Sequence, residues 1–316
     1  MRAFITGITG FAGSHLAEHL IACGDAVAGT NRSGRWPRNL PERLERSVDL
    51  MAWDVADARG IEPLQLALSA FQPDVIFHLA AISFPADCGT DEPTTQALAV
   101  NVEGTRHVLQ LASSLESRPR VVFASSAHVY GPSAVDSPPV DELAPLAPRG
   151  GYGRTKVAAE QVCREFIERD RLDVVIVRSV PSAGPRQDER LMLASWCKQF
   201  AEPSDGPVEV LMLDARIDMP DVRDVVRAYR LLAERGAAGE TYNLGRGQPL
   251  VSGEVFKLLQ QHAGSSRAVR ELRPGRKFDP IANIGKLQSA TSWQPEIDLS
   301  QTVADSLDDA IRRRVM

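Results

Sequence analysis

The sequence predicts a doubly wound α/β protein, a parallel sheet with helices on both faces, followed by a smaller α/β domain. Three observations carry this. Short apolar runs rich in β-branched residues alternate with amphipathic stretches through the first half of the 316 residues. A turn punctuated by Gly7, Gly10 and Gly13 follows the first run and opens a helical stretch. The alternation stops near residue 180 and does not repeat. Continuous apolar strands separated by helices indicate a sheet buried on both faces, and that order of elements belongs to doubly wound architecture.

The expected strands are AFIT (3–6), AVAGT (26–30), VDLMAWD (48–54), DVIFHLAA (74–81), RVVFASS (120–126) and LDVVIVR (172–178). AGSHLAEHLIAC follows the glycine turn as the first helix, and two long amphipathic helices are expected around 94–115 and 152–169. Past residue 180, a loop with AGPRQ leads to a helix at LMLASWCKQF, a strand at VEVLML, a helix within DMPDVRDVVRAYRLLAE and a short TYNLG run. Residues 1–178 are therefore expected to form a Rossmann-type cofactor-binding domain. Residues 179–316 form a substrate-binding domain, with some segments returning to the first sheet. A ligand is expected in the cleft between the two.

Composition narrows the function. Hydrophobic residues make up 43% and charged residues 24%, with no apolar run near the ~18 residues a membrane helix requires. No membrane partner is expected, and with no basic leader followed by an apolar core the expected location is cytoplasmic. The net charge of −5, with only RRR at 312–314 as a basic cluster, argues against a nucleic-acid partner. Cys23, Cys88, Cys163 and Cys197 are dispersed, so neither a disulfide framework nor a zinc site is indicated. His15 and His19 stand four apart on a helix but lack a third ligand, and no metal is expected.

The N-terminal turn indicates the cofactor. Gly7, Gly10 and Gly13, with Thr9 and Phe11 between them, let the backbone approach a pyrophosphate whose charge is favoured by the free N–H groups of the following helix. An NAD site usually places an acid at the end of the second strand, on the ribose. Here the segment is GTNRSGR, where Asn31 and Arg32 replace a carboxylate and Arg32 suits a 2′-phosphate. NADP(H) is therefore expected over NAD(H). At the end of the third strand, Asp54 either accepts from the adenine amino group or caps its own loop, and Val55 follows it beside the base.

A tyrosine and a lysine four apart, Tyr152 and Lys156 in GGYGRTK, say little by themselves. In order along the chain, however, stand TGITGFAGSHL, HLAA at 78–81, NVEGT at 101–105, FASSAHVYG at 123–131, YGRTK at 152–156, DVRD at 221–224, YNLG at 242–245 and LRPGR at 272–276. This series resembles the extended short-chain dehydrogenase/reductase family, the NAD(P)-dependent epimerase/dehydratase type, over nearly the whole chain. The resemblance implies that Ser126, Tyr152 and Lys156 are catalytic, that Asn101 supports them, and that Leu79, Ala80 and Ala81 line the cofactor. It also implies a homodimer built on the two long helices. The residue chemistry agrees. A phenol with pKa near ~10 needs help to exchange protons at neutral pH, and a lysine one turn away together with an oxidised nicotinamide favours its phenolate.

Within that family the chain is most similar to nucleotide-sugar enzymes, especially reductases of GDP-4-keto-6-deoxy-mannose. The related dehydratases carry a glutamate two residues after the catalytic Ser/Thr, where this chain has His128. Two grips on the substrate also depart from the family. Pro181, followed by Ser182, stands where an Asn is usual, and Ile217 stands where an Arg is usual, with Arg216 one residue early. Arg276 replaces an acidic residue, while Arg273 remains. Ser83, Ser126, His128, Ser182, Arg216 and Arg273 are the expected substrate contacts. The expected activity is NADP(H)-dependent 4-keto reduction of a nucleotide-activated deoxysugar. Alternatives are a 4-epimerase, a reductase of a non-nucleotide carbonyl compound and a non-catalytic NADP(H)-sensing protein.

Overall fold

The computed structural model describes residues 1–134 and 136–315. In chain order the elements of the first half are β1 (Arg2–Thr6), α1 (Phe11–Ala22), β2 (Ala26–Asn31), α2 (Glu42–Ser47), β3 (Val48–Ala52), α3 (Ile61–Phe71), β4 (Val75–His78), α4 (Thr95–Leu98), α5 (Gly104–Ser114), β5 (Arg120–Ser126), α6 (Gly150–Asp170) and β6 (Val174–Ser179). The second half adds α7 (Met192–Ala201), β7 (Val208–Val210), β8 (Asp214–Ile217), α8 (Val222–Arg235), β9 (Thr241–Leu244), β10 (Leu250–Val251), α9 (Ser252–His262), β11 (Val269–Glu271), β12 (Arg276–Phe278), α10 (Gly285–Thr291) and α11 (Leu299–Val315).

Seven strands form one parallel sheet in the order β3-β2-β1-β4-β5-β6-β9. This is the expected doubly wound Rossmann-like fold. The strand order reverses between β1 and β4, and such a switch point opens a crevice at the carboxyl ends of the strands. One face buries Leu16 and Leu20 of α1 against Val225, Tyr229 and Leu232 of α8. The other buries Leu64 and Leu68 of α3, Val108 and Leu111 of α5, and Val162 and Phe166 of α6. Each fully buried side chain of this size contributes about 1.5–3 kcal/mol relative to exposure. Beyond the sheet, α7, α9 and α11 enclose a separate core around Trp196, Phe256 and Val303.

The second half also contributes directly to the main sheet, because β9 pairs in parallel with β6 from Ile176↔Thr241 to Ser179↔Leu244. Its remaining strands make a three-stranded β10-β8-β12 sheet and a two-stranded β11-β7 sheet. The helix expected over 94–115 is interrupted: residues 99–103 form a π-helical segment between α4 and α5. Such bulges are frequent at functional sites, and this one carries Asn101. The strand expected at VEVLML ends at Val210, and the chain bends before β8.

Candidate active site

At the switch point, β1 ends in a glycine turn that no other residue fits. Gly7 has φ +71°, and a Cβ there would stand 2.9 Å from the backbone of Ala80. A Cβ on Gly13 would stand 2.3 Å from the Gly7 carbonyl oxygen. The turn is therefore packed backbone to backbone, with the first N–H groups of α1 facing a cleft of about 920 Å³. Thr9, Gly10 and Phe11 line it beside them. A helix N-terminus fed by such a turn suits a pyrophosphate, and the cleft's size suits a dinucleotide with a second ligand.

The rest of the expected cofactor residues lie along the same cleft. Asn31 and Arg32 line it at the end of β2, with Arg32 exposed. The Asn31 side chain organises the loop, donating to Thr9 Oγ1 at 3.2 Å and accepting from the Gly34 N–H at 2.6 Å. Asp54 and Val55 line the cleft after β3. Asp54 accepts from the Ala56 N–H at 3.0 Å, so it caps its own loop while reaching the cavity. Leu79, Ala80 and Ala81, expected within the fourth strand, leave the sheet after His78 and line the cleft as loop. Thr6 fixes them: its Oγ1 accepts from the Ala80 N–H at 3.3 Å and bonds His78 Nδ1 at 2.8 Å. His78 is buried, which depresses its pKa to about 3 and keeps it neutral.

Asn101 does not line the cleft. From the π-helical segment its Oδ1 accepts from the Ile82 N–H at 2.8 Å, and its Nδ2 donates to the Ile82 carbonyl at 3.0 Å and to Thr155 Oγ1 at 3.0 Å. The extra residue of the bulge turns this side chain inward, and it pins the 79–83 loop to the helix carrying Tyr152 and Lys156.

Ser126, Tyr152 and Lys156 converge at the centre, where β5 ends against the first turn of α6. The Ser126 hydroxyl lies beside Tyr152, close enough to favour its phenolate. Lys156 is buried and donates from Nζ to the Ala124 carbonyl at 2.7 Å, with Nζ 5.9 Å from the Tyr152 ring centre. Burial lowers its pKa to about 8. Burial raises the Tyr152 phenol to about 12, against the opposing effect of Ser126. Nζ of Lys156 is thus directed at the Ala124 carbonyl, one helical turn from Tyr152. Tyr152 is a protonated donor in the free protein.

Beneath these residues lies a buried polar lattice. Glu160 of α6 accepts from Ser125 Oγ at 2.6 Å and from Arg178 of β6 at 2.9 and 2.7 Å. Arg178 also donates to the Tyr130 hydroxyl at 3.0 Å, which in turn donates to Asn243 of β9 at 2.7 Å. A buried pair satisfied on all sides holds β5, β6, β9 and α6 in one geometry.

Of the expected substrate contacts, Ser83, Ser126, His128 and Ser182 line the cleft. Arg216 and Arg273 do not line it, which corrects their assignment. Along β8, Ala215 and Ile217 line the cleft while Arg216, on the alternate face, donates to the Ser137 carbonyl at 3.2 Å. Arg273 is exposed, in the segment between β11 and β12. Pro181 and Ile217, the departures from the family pattern, both line the cleft.

Tyr229 of α8, Gln187, Arg190, Lys277 and Asp279 line the cleft without having been singled out from the sequence. Tyr229 sits in a helix whose pattern is that of any core-facing helix, so its spacing carried no signal. Arg190 is held by Asp188 at 2.9 Å and Asp87 at 3.0 Å, and Lys277 by Asp279 at 2.8 Å. Among the described residues no group of His, Cys, Asp and Glu is arranged to hold a metal ion, and no helix is long and apolar enough to cross a membrane.

A glycine cradle at the switch point of a doubly wound sheet, opening on one large cleft, defines an NAD(P)-dependent enzyme. The chain belongs to the NAD dependent epimerase/dehydratase family, whose model matches residues 3–245. It is 28% identical over 316 residues to GDP-6-deoxy-D-mannose reductase of Pseudomonas aeruginosa, across 98% of this chain and 96% of the relative. It is 28% identical over 326 residues to UDP-glucose 4-epimerase of Mycolicibacterium smegmatis, across 98% of each. Among solved structures, RMD from Pseudomonas aeruginosa complexed with NADPH matches with a TM-score of 0.83 at 27% identity, over 99% of both chains.

Proposed function

We propose that this chain is a nucleotide-sugar-modifying enzyme, specifically an NADP(H)-dependent 4-ketoreductase of the GDP-4-keto-6-deoxy-mannose reductase kind. The observation that carries this reading is the convergence of Ser126, Tyr152 and Lys156 at the inner wall of the cleft, where β5 ends against α6. When bound, NADPH supplies the hydride. Tyr152 gives its proton to the carbonyl oxygen, and Ser126 donates a hydrogen bond to that oxygen as charge develops. Lys156 holds the cofactor ribose, and Asn101 keeps the 79–83 loop registered to α6. Residues 1–178 bind the cofactor and 179–316 the substrate, in a cytoplasmic homodimer joined through α5 and α6. A monomer by light scattering at micromolar concentration refutes the dimer.

Arg32 is assigned to the 2′-phosphate of NADP(H). Arg32→Ala should weaken NADPH about 10–100-fold, the loss of charge-assisted bonds, and leave NADH nearly unchanged. Equal losses for both cofactors by calorimetry refute that assignment.

A second reading, a reductase of a non-nucleotide carbonyl compound, has its own observation. In the substrate half of the cleft the cations Arg190 and Lys277 are already ion-paired, while Pro181, Ile217, Leu211 and Leu272 present apolar surface. Monitoring NADPH oxidation with GDP-, dTDP-, UDP- and CDP-linked 4-keto-sugars separates the readings. Oxidation with one of them supports the first. Interconversion of 4-epimers without net oxidation marks an epimerase, and no reaction with any of them favours the second reading.

A further inference from the structure

We propose that His128 is a positioning residue that makes Ser126 an obligate hydrogen-bond donor toward the substrate's carbonyl oxygen; this rests on the ketoreductase reading. A serine hydroxyl has one proton and two lone pairs. At Ser126 two groups of His128 bond the hydroxyl, the backbone N–H, which donates to Oγ at 3.2 Å, and the imidazole Nδ1 at 3.0 Å, while the Tyr152 hydroxyl lies beside it as a further candidate partner. The short 3₁₀ turn Ala127–Val129 folds both His128 groups back over the end of β5.

Two proton arrangements satisfy these distances, and they differ in what they leave for a substrate. With a bare Nδ1, Ser126 donates to the imidazole and its remaining lone pair draws the Tyr152 proton. Both donors then face away from the carbonyl. With a proton on Nδ1, the two His128 donors fill both lone pairs of Oγ. The Ser126 proton is then directed outward, and the Tyr152 proton stays free for transfer. Carbonyl reduction needs the second arrangement, so the Nδ1–H tautomer belongs to the working site.

The choice of tautomer matters because the ring is held neutral, since an imidazolium would donate from Nδ1 in any case. Burial lowers the pKa of His128. The charged and titratable groups facing it are Tyr152 of α6, whose ring packs edge-on at 5.3 Å, and the ion-paired Lys277 and Asp279 from the segment at and after β12.

The test is steady-state NADPH oxidation with GDP-4-keto-6-deoxy-mannose by His128→Leu and His128→Asn, each alone and on a Ser126→Ala background. His128→Leu, which has no donor, should lower kcat about 10–100-fold at unchanged KM for NADPH. His128→Asn, whose amide N–H replaces Nδ1–H, should recover to within about threefold of wild type. On Ser126→Ala, His128→Leu should add nothing, the coupling expected of two residues acting through one bond. Equal losses in the Asn and Leu variants, or a His128→Leu loss that multiplies that of Ser126→Ala, overturn the proposal. Wild-type protein that oxidises no NADPH with this or with a dTDP-, UDP- or CDP-linked 4-keto-sugar overturns the ketoreductase reading and the positioning role together, whereas losses confined to the variants concern His128 alone.

Discussion

The two ends of the cleft are built on different principles. At the inner end, Ser126, Tyr152 and Lys156 rest on the central sheet and on the buried Glu160–Arg178 pair, which is 2–3% exposed. At the outer end, the lining residues come from strands of three or four residues in separate small sheets and from the turns that follow them, with Leu211 56% and Leu272 49% exposed. A side chain locked by buried bonds can be held to the tolerance proton transfer demands. One on a short exposed strand can be exchanged at little cost to the fold. The contrast explains how Ile217, on β8, can depart from the family's pattern while the inner residues keep it; Pro181 departs in an exposed segment just past the end of β6.

The largest test of this contrast is Tyr152→Phe. It should lower kcat by about 10²–10⁴-fold, the range for removing a general acid, and leave NADPH affinity intact. Retained turnover would falsify the inner-end assignment. Next is the lattice beneath it. Arg178→Met strands the Glu160 carboxylate in the core and should cost about 3–5 kcal/mol of stability. At the outer end, Arg276→Met opposite Asp214, an exposed pair at 2.8 Å, should cost less than about 1 kcal/mol. Chemical denaturation of the two variants gives the comparison, and similar losses would erase it.

Acid should act on the inner half as well. Burial holds His15 at about pKa 4 and His78 at about 3. The unfolded chain binds protons at both below about pH 6.5, where the folded protein does not. Both histidines were lowered by folding, so their contribution is complete above that pH and is lost as pH falls toward 4 and 3. Between pH 7 and 5 stability should drop by about 2–4 kcal/mol. A flat melting temperature over that interval would contradict the buried, neutral histidines. The smallest effect concerns specificity. The double change Pro181→Asn and Ile217→Arg should lower KM for a GDP-linked sugar about tenfold with kcat nearly constant, by adding charge-assisted contacts to the diphosphate. An unchanged KM would mean that these two positions do not face that group.

Much of the inner end was legible in the chain itself. The β-branched runs became the strands of the main sheet because their side chains are buried on both faces, and the glycine turn announced its own geometry because only glycine tolerates it. The interruption of the 94–115 helix was not legible, since a π-bulge arises from packing of Asn101 against Ile82 and Thr155 and leaves no periodic trace. Arg216 was legible in part: it stands one residue early, and was nonetheless assigned a substrate contact. A strand alternates faces, however, and Arg216 was one position out of register with the cleft. Tyr229 was unreadable because a helix shows the same apolar stripe whether it ends against a core or a cavity.

By itself the sequence determined the parallel sheet, the cradle at its switch point, and the presence of a serine, a tyrosine and a lysine at family spacing. These depend on local rules: strand patterning, backbone freedom at glycine, and helical periodicity. Only the tertiary structure decided that Lys156 turns to Ala124, that Asn101 acts from behind the cleft, and that His128 reaches back to Ser126. Each of those depends on which polar group meets which partner once water is excluded, and burial sets both the protonation and the direction of every hydrogen bond involved.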